Sequence, residues 1–241
     1  MEKHGKHRPL VGAGLALALL AAPADAGCRL ALALALDISS SVDSEEDRLQ
    51  RLGLANALTS PEVLAAVLSV PGDPVALAVF EWSGRYQQDV TLTWRLLRTE
   101  ADIVEAAATI RRSQRRYAEF PTAIGYALGY AAGVFAQAPA CLFQTLDVSG
   151  DGVNNDGFAP RLAYANFPLA EVTVNGLTIG GVDDDLAGYY RRELIKGPGA
   201  FVEEAADFSD FERAMRRKLV RELETRAIGL GPLPVPLRRG G

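Results

Sequence analysis

Apolar runs alternate with amphipathic stretches along most of the chain, and the spacing predicts an element for nearly every segment. Arg29 to Leu36 is almost continuously apolar, the pattern of a parallel strand covered on both faces. Ser41-Val42-Asp43-Ser44-Glu45-Glu46 offers capping side chains and early acids, so a helix begins about there and runs to Thr59. Pro61 restarts a shorter helical segment to Ser69, and Pro71-Gly72-Asp73-Pro74 is a turn. Val75 to Trp82 reads as a second strand, with the alternating Val90 to Trp94 as a neighbouring edge strand. A helix follows over Thr99 to Arg112, then a polar loop from Gln114 to Pro121 and a helix of small residues from Thr122 to Ala136. Cys141 to Val148 is another buried strand, ending in Ser149-Gly150-Asp151-Gly152-Val153-Asn154-Asn155-Asp156-Gly157. Next come a short helix within Phe158 to Phe167, a strand at Val172 to Ile179, and an acidic turn Asp183-Asp184-Asp185 opening a helix to about Lys196. Ala200 to Ala205 is a last short strand, and Asp207 to Arg226 a last helix.

Strand alternating with helix predicts a three-layer α/β/α sandwich around a doubly wound, mostly parallel sheet. In such sheets ligands sit beyond the carboxyl ends of the strands, where the winding reverses. With the common 3-2-1-4-5 order, the first and fourth strands are neighbours there. The residues after Leu36 and after Val148 then face one crevice.

Composition narrows the reading. The chain has 241 residues, 49% hydrophobic and 23% charged, which suits one α/β domain with a sizeable core. Formal charge is −5 with scattered arginines, so no basic stripe is available for nucleic acid. Residues 1–26 read as a secretory signal: Lys3, Lys6 and Arg8, an apolar stretch from Leu10 to Ala22, and Ala24-Asp25-Ala26 as the cleavage site. That stretch is too short for a comfortable membrane span. The expectation is a secreted or periplasmic protein with no membrane span in the mature chain, a domain over 27–228 and an extended Pro/Gly-rich tail over 229–241. Both histidines, His4 and His7, leave with the signal. A mature chain without histidine has no Ser-His-Asp or Cys-His catalysis and no zinc site built on imidazole.

Asp37, Ser39 and Ser41 stand at alternate positions just after the first strand, Asp151 just after the fourth, and Thr122 at the start of a helix from a third loop. Two carboxylates and three hydroxyls suit a hard cation such as Mg²⁺, which takes oxygen ligands and often keeps waters. The absence of thiolate and imidazole argues against a soft metal.

Here the residues resemble a family. A strand, D-x-S-x-S, a downstream threonine opening a helix and a second strand ending in a D-G turn look like the von Willebrand factor type A (VWA) domain. "FPTAIGYALGYA" resembles that family's threonine loop, and "LDVSGDG" occupies the place of its third-loop aspartate. More closely, the chain is similar to an uncharacterised family of secreted bacterial VWA-like proteins, through "DISSSVD", "DVSGDGVNN" and "GPGAFV". The resemblance covers residues 28–227. It implies a metal-ion-dependent adhesion site holding Mg²⁺ (or Mn²⁺/Ca²⁺), with Ser39, Ser41 and Thr122 binding the ion directly or nearly so. Asp37 and Asp151 would act largely through waters. The position left open implies a protein partner presenting an acidic side chain, and binding rather than catalysis. Either Asp147 or Asp151 could be the third-loop aspartate.

The alternative is a Mg²⁺-dependent phosphatase of haloacid-dehalogenase type, with Asp37 as nucleophile and "GDGVNND" as its acidic loop. That class needs a second aspartate where Ser39 stands, and a lysine before the acidic loop; no lysine lies between Lys6 and Lys196. An EF-hand fails because Phe158 stands where a bidentate acid is required. A dinucleotide site fails for want of G-x-G-x-x-G after the first strand.

Cys28 and Cys141 open the first and fourth strands. If those strands are parallel neighbours about 4.8 Å apart, both cysteines lie at the amino-terminal edge within disulfide reach. A Cys28–Cys141 bridge far from the cation rim is expected.

Overall fold

The computed structural model describes residues 1, 27–180 and 185–228. The signal segment, Asp183, Asp184 and the tail over 229–241 therefore lie outside the described residues. Six strands, β1 (Cys28–Asp37), β2 (Val75–Trp82), β3 (Gln88–Leu97), β4 (Cys141–Gly150), β5 (Val172–Ile179) and β6 (Val202–Ala205), form one sheet in the order β3-β2-β1-β4-β5-β6. Only β3 runs antiparallel. The expected order and the expected neighbours β1 and β4 are both observed.

Around it lie α1 (Ser44–Leu58), α2 (Pro61–Val67), α3 (Glu100–Arg112), α4 (Ile124–Phe135), α5 (Pro160–Asn166), α6 (Leu186–Tyr189) and α7 (Phe211–Ile228). The β1 sequence explains the two packed layers. Leu30, Leu32, Leu34 and Leu36 enter the core under α1, α2, α3 and α7. Ala31, Ala33 and Ala35, on the opposite face, pack with Ala127, Leu128 and Ala131 of α4, small side chains that let helix and sheet approach closely. Burying each leucine contributes roughly 1.5–3 kcal/mol, so β1 is the axis of the molecule. Trp82 is core, and Trp94 packs at the rim with its Nε1–H donating to the Val134 carbonyl at 2.9 Å. Among the described residues no helix is long and apolar enough to cross a membrane.

Several elements differ from the periodicity: the edge strand β3 is longer at both ends than Val90–Trp94, and α4 starts later than Thr122. The helix expected up to Lys196 is broken into α6 and a π-helical turn, Tyr190–Leu194, because Tyr190 and Leu194 both turn onto the bare backbone of Gly176. The last strand starts at Val202 rather than Ala200.

Cys28 and Cys141 face each other across β1 and β4 and form a disulfide, with Cα atoms 4.6 Å apart. The bridge sits at the amino-terminal ends of the strands, away from the loops after Asp37 and Gly150.

Candidate metal centre

The loop after β1 is built for presentation rather than for capping. Helix α1 is capped by Asp43, whose carboxylate accepts from the backbone of Glu45 and Glu46 while Glu46 returns a bond to Asp43 N. Ser39 and Ser41 are thus free of that duty. Asp37 Oδ1 accepts from Ser39 N at 2.7 Å, an Asx turn that folds the loop back over the strand end. Ser39 and Ser41 hydroxyls lie 3.2 Å apart. Ser41 Oγ donates to Asp151 Oδ1 at 2.9 Å, joining the loops after β1 and β4.

The third loop arrives from between α3 and α4. Ser40 N donates to the Phe120 carbonyl at 2.8 Å, tying it to the β1 loop. The sequence expectation that Thr122 opens α4 is not met. The helix starts at Ile124 after Ala123, which gives no side-chain cap, so the Thr122 hydroxyl is not consumed there. Instead Thr122 Oγ1 faces the Gly152 backbone, 3.6 Å from where a Cβ would stand. Asn155 fastens this loop to the β4 loop twice: its Oδ1 accepts from Thr122 N at 2.9 Å, and its N–H donates to the Thr122 carbonyl at 2.9 Å. Asn154 Oδ1 accepts from Gly125 N at 3.2 Å. Neither asparagine was singled out by sequence reasoning; the signal available was the Asx chemistry of the "VNND" loop.

Ser41, Thr122 and Asp151 line one cleft of about 620 Å³ with Glu46 and Asn155 at its margin. Asp37 and Ser39 lie just beneath, both buried. Burial pushes Asp37 up to about 8, with the Asp151 charge beside it adding to the rise and the Ser39 hydrogen bond opposing it. Burial raises Asp151 as well. Neither carboxylate forms an ion pair with a described lysine or arginine, so two acids share a partly dehydrated pocket with nothing positive against them. The donor set is all oxygen. Among the described residues no group of three or more His, Cys, Asp or Glu side chains is placed to hold a metal; the chemistry of this mixed carboxylate and hydroxyl set is of the kind a hard divalent cation takes.

Asp147 is elsewhere. Its side chain is on the opposite face of the sheet, where Lys218 Nζ lies 2.9 Å from Asp147 Oδ1 and 2.8 Å from Glu222 Oε1, all buried. Of the two aspartates, Asp151 is the one beside Ser41. Lys218 is accordingly unavailable to the cleft, and Lys196 binds the carbonyls of Leu169 and Ala170. The phosphatase alternative gains no lysine from the fold. Asp185 pairs with Arg192 at 3.0 Å on the surface.

A family model described as "Protein of unknown function (DUF1194)" matches residues 27–227. The chain belongs to the DUF1194 family. Comparison with curated protein sequences returns no match. Among solved structures, the mussel byssus protein PTMP1 superposes with a TM-score of 0.60 at 17% identity, covering 83% of this chain and 49% of that one; another PTMP1 structure has a zinc-occupied MIDAS motif. A von Willebrand factor type A protein from Catenulispora acidiphila gives 0.57 at 16%, covering 81% and 43%. The PilB minor pilin from Streptococcus sanguinis gives 0.60 at 12%, covering 88% and 65%. The DUF1194 chain spans about half the length of the mussel protein. Its fold is VWA-like.

Proposed function

We propose that this DUF1194 protein is a secreted or periplasmic binding module, released by cleavage after residue 26. In this reading Ser39, Ser41, Thr122, Asp37 and Asp151 hold one Mg²⁺, or Mn²⁺ or Ca²⁺, and a protein partner docks an acidic side chain on it. The observation that carries the reading is the Ser41–Asp151 hydrogen bond, with Asp37 close by and no described lysine or arginine paired to either carboxylate. Support also comes from the zinc-occupied MIDAS motif in the mussel protein of like fold, and from pilus and byssus proteins among the structural neighbours.

The residues divide the work. Three hydroxyls offer neutral oxygens, and the two aspartates orient what the ion carries while neutralising only part of its charge. Bound there, the cation supplies a Lewis-acidic position that an anionic oxygen fills strongly where water is partly excluded. The Asn155 clamp and the Ser40–Phe120 bond hold the three loops at fixed separation, so the oxygens converge without large reorganisation.

The test is calorimetric titration of the secreted form with Mg²⁺ and Mn²⁺, paired with partner capture with and without chelator. Asp37→Ala is expected to abolish cation uptake and chelator-sensitive capture while keeping the wild-type circular dichroism. A well-folded Asp37→Ala that binds ion and partner like wild type overturns the assignment. Capture that ignores chelator while the ion still binds reduces the cation to steadying the loops.

A further inference from the structure

Behind Asp37, on the face of the sheet packed by α4 to α6, lies a group of buried polar atoms that the cation reading leaves unused. Asp37 Oδ2, the Tyr190 hydroxyl and Trp82 Nε1 are all buried without a hydrogen-bond partner. Trp82 stands opposite Asp37 in the β1–β2 register. Tyr190 is fully buried and opens the π-helical turn, a distortion that recurs at functional sites.

Two glycines make room for its ring. A Cβ at Gly176 on β5 would stand 2.7 Å from Tyr190 Cδ1. A Cβ at Gly150 on β4 would stand 2.6 Å from the Tyr190 hydroxyl and 2.8 Å from Asp37 Oδ2. The ring therefore crosses bare backbone of two strands, and its hydroxyl and the free Asp37 oxygen both close on one point beside Gly150. A phenol has one proton to donate, and a carboxylate oxygen kept ionised by a bound cation only accepts. Leaving both buried and unpaired is costly, so their chemistry directs them to each other.

We propose that Tyr190 is a positioning residue for the cation site: with the ion bound, its hydroxyl donates to Asp37 Oδ2. The inference rests on the cation reading above. Ser39 N already anchors Oδ1 at 2.7 Å, so the two bonds together fix the carboxylate plane from the protein side. Each oxygen keeps a lone pair for the ion and its waters. Outer contacts of this kind orient the groups that hold a metal, and their loss typically weakens affinity about 10–100-fold.

The experiment uses Tyr190→Phe in the full secreted chain, which removes one hydroxyl and keeps the ring on Gly150 and Gly176. Mg²⁺ and Mn²⁺ affinities are measured by calorimetry, melting temperature is measured in chelator, and tyrosine difference absorption is recorded on Mg²⁺ addition. The expected result is an affinity loss of about ten-fold or more, an unchanged or higher melting temperature in chelator, and a wild-type difference signal that the variant lacks. Wild-type affinity in Tyr190→Phe, or an affinity loss matched by a lower melting temperature in chelator, overturns the proposal. So does the absence of any tyrosine signal in the wild-type protein, an arm that needs no variant. A wild-type protein that takes up no cation, and so matches Asp37→Ala, overturns the cation reading itself and this inference with it.

Discussion

Ser41 and Asp151, 110 residues apart in sequence, share a 2.9 Å hydrogen bond at the mouth of the cleft. That bond joins the β1 loop to the β4 loop, and in the proposed function both partners serve one cation. Ser41→Ala removes one hydroxyl donor and frees Asp151 Oδ1. Because Ser41 is exposed, the stability change should stay within about 0.5 kcal/mol. Cation affinity, read by Mn²⁺ calorimetry, should fall about ten-fold or more. Unaltered affinity would remove Ser41 from the site.

Asn155 holds Thr122 without lining the strand ends itself. Asn155→Ala should cost about 1–2 kcal/mol in urea unfolding, since the Thr122 N–H loses its acceptor in a half-buried setting. The same variant should weaken cation binding although it removes no ligand. Equal affinity with lower stability would confine Asn155 to a structural role.

On the other face, burial raises Asp147 to about 7, with Lys218 pulling it down and the Glu222 charge pushing it up. Lys218 itself is raised, because Asp147 and Glu222 outweigh its burial. An acid whose folded value exceeds its ordinary 3.8 binds its proton more tightly in the native state. Its contribution is therefore complete below about pH 4 and is lost as pH rises through about 7. The stability of wild type relative to Asp147→Asn should decline across that window in chemical denaturation at stepped pH; a flat difference contradicts the assignment. Lys218→Met strands two buried carboxylates and should cost about 3–5 kcal/mol near neutral pH, with a smaller loss in acid.

Cys28→Ser/Cys141→Ser opens a bridge closing 113 residues of chain. Loops of that length make a disulfide worth up to about 4–5 kcal/mol, so the urea midpoint should drop markedly. Thiol mapping of the wild type should find neither cysteine free. Cation affinity at low temperature should survive, because the bridge lies at the far end of the strands.

Much of this architecture was legible before any coordinates. The continuous apolar run of β1, the strand–helix alternation and the switch-point rule led to the β1–β4 adjacency, and from that to the disulfide and to the convergence of Asp37, Ser41 and Asp151. Local chemistry was less so. Whether Asp147 or Asp151 reaches the rim is decided by the pleat of β4: Leu146 and Val148 enter the α4 layer, so Asp147 between them turns to the other face, where it meets Lys218. Thr122 read as a helix-opening residue because threonine caps so often; Asn155 holds it outside the helix instead. The π-helical turn was invisible because Tyr190 and Leu194 pack on Gly176, a residue of another strand. For Thr122 and for this turn, partners distant in sequence decide the detail, and periodicity does not carry it.

The covalent staple between Cys28 and Cys141 has a mechanical corollary. Parallel strands can slip along one another only if both ends are released, and here the lower ends of the two central strands are locked in register. Ser41 and Asp151 are thus held in step from below, so the spacing of the two loops at the cleft is fixed by a covalent bond at the far end of the same two strands.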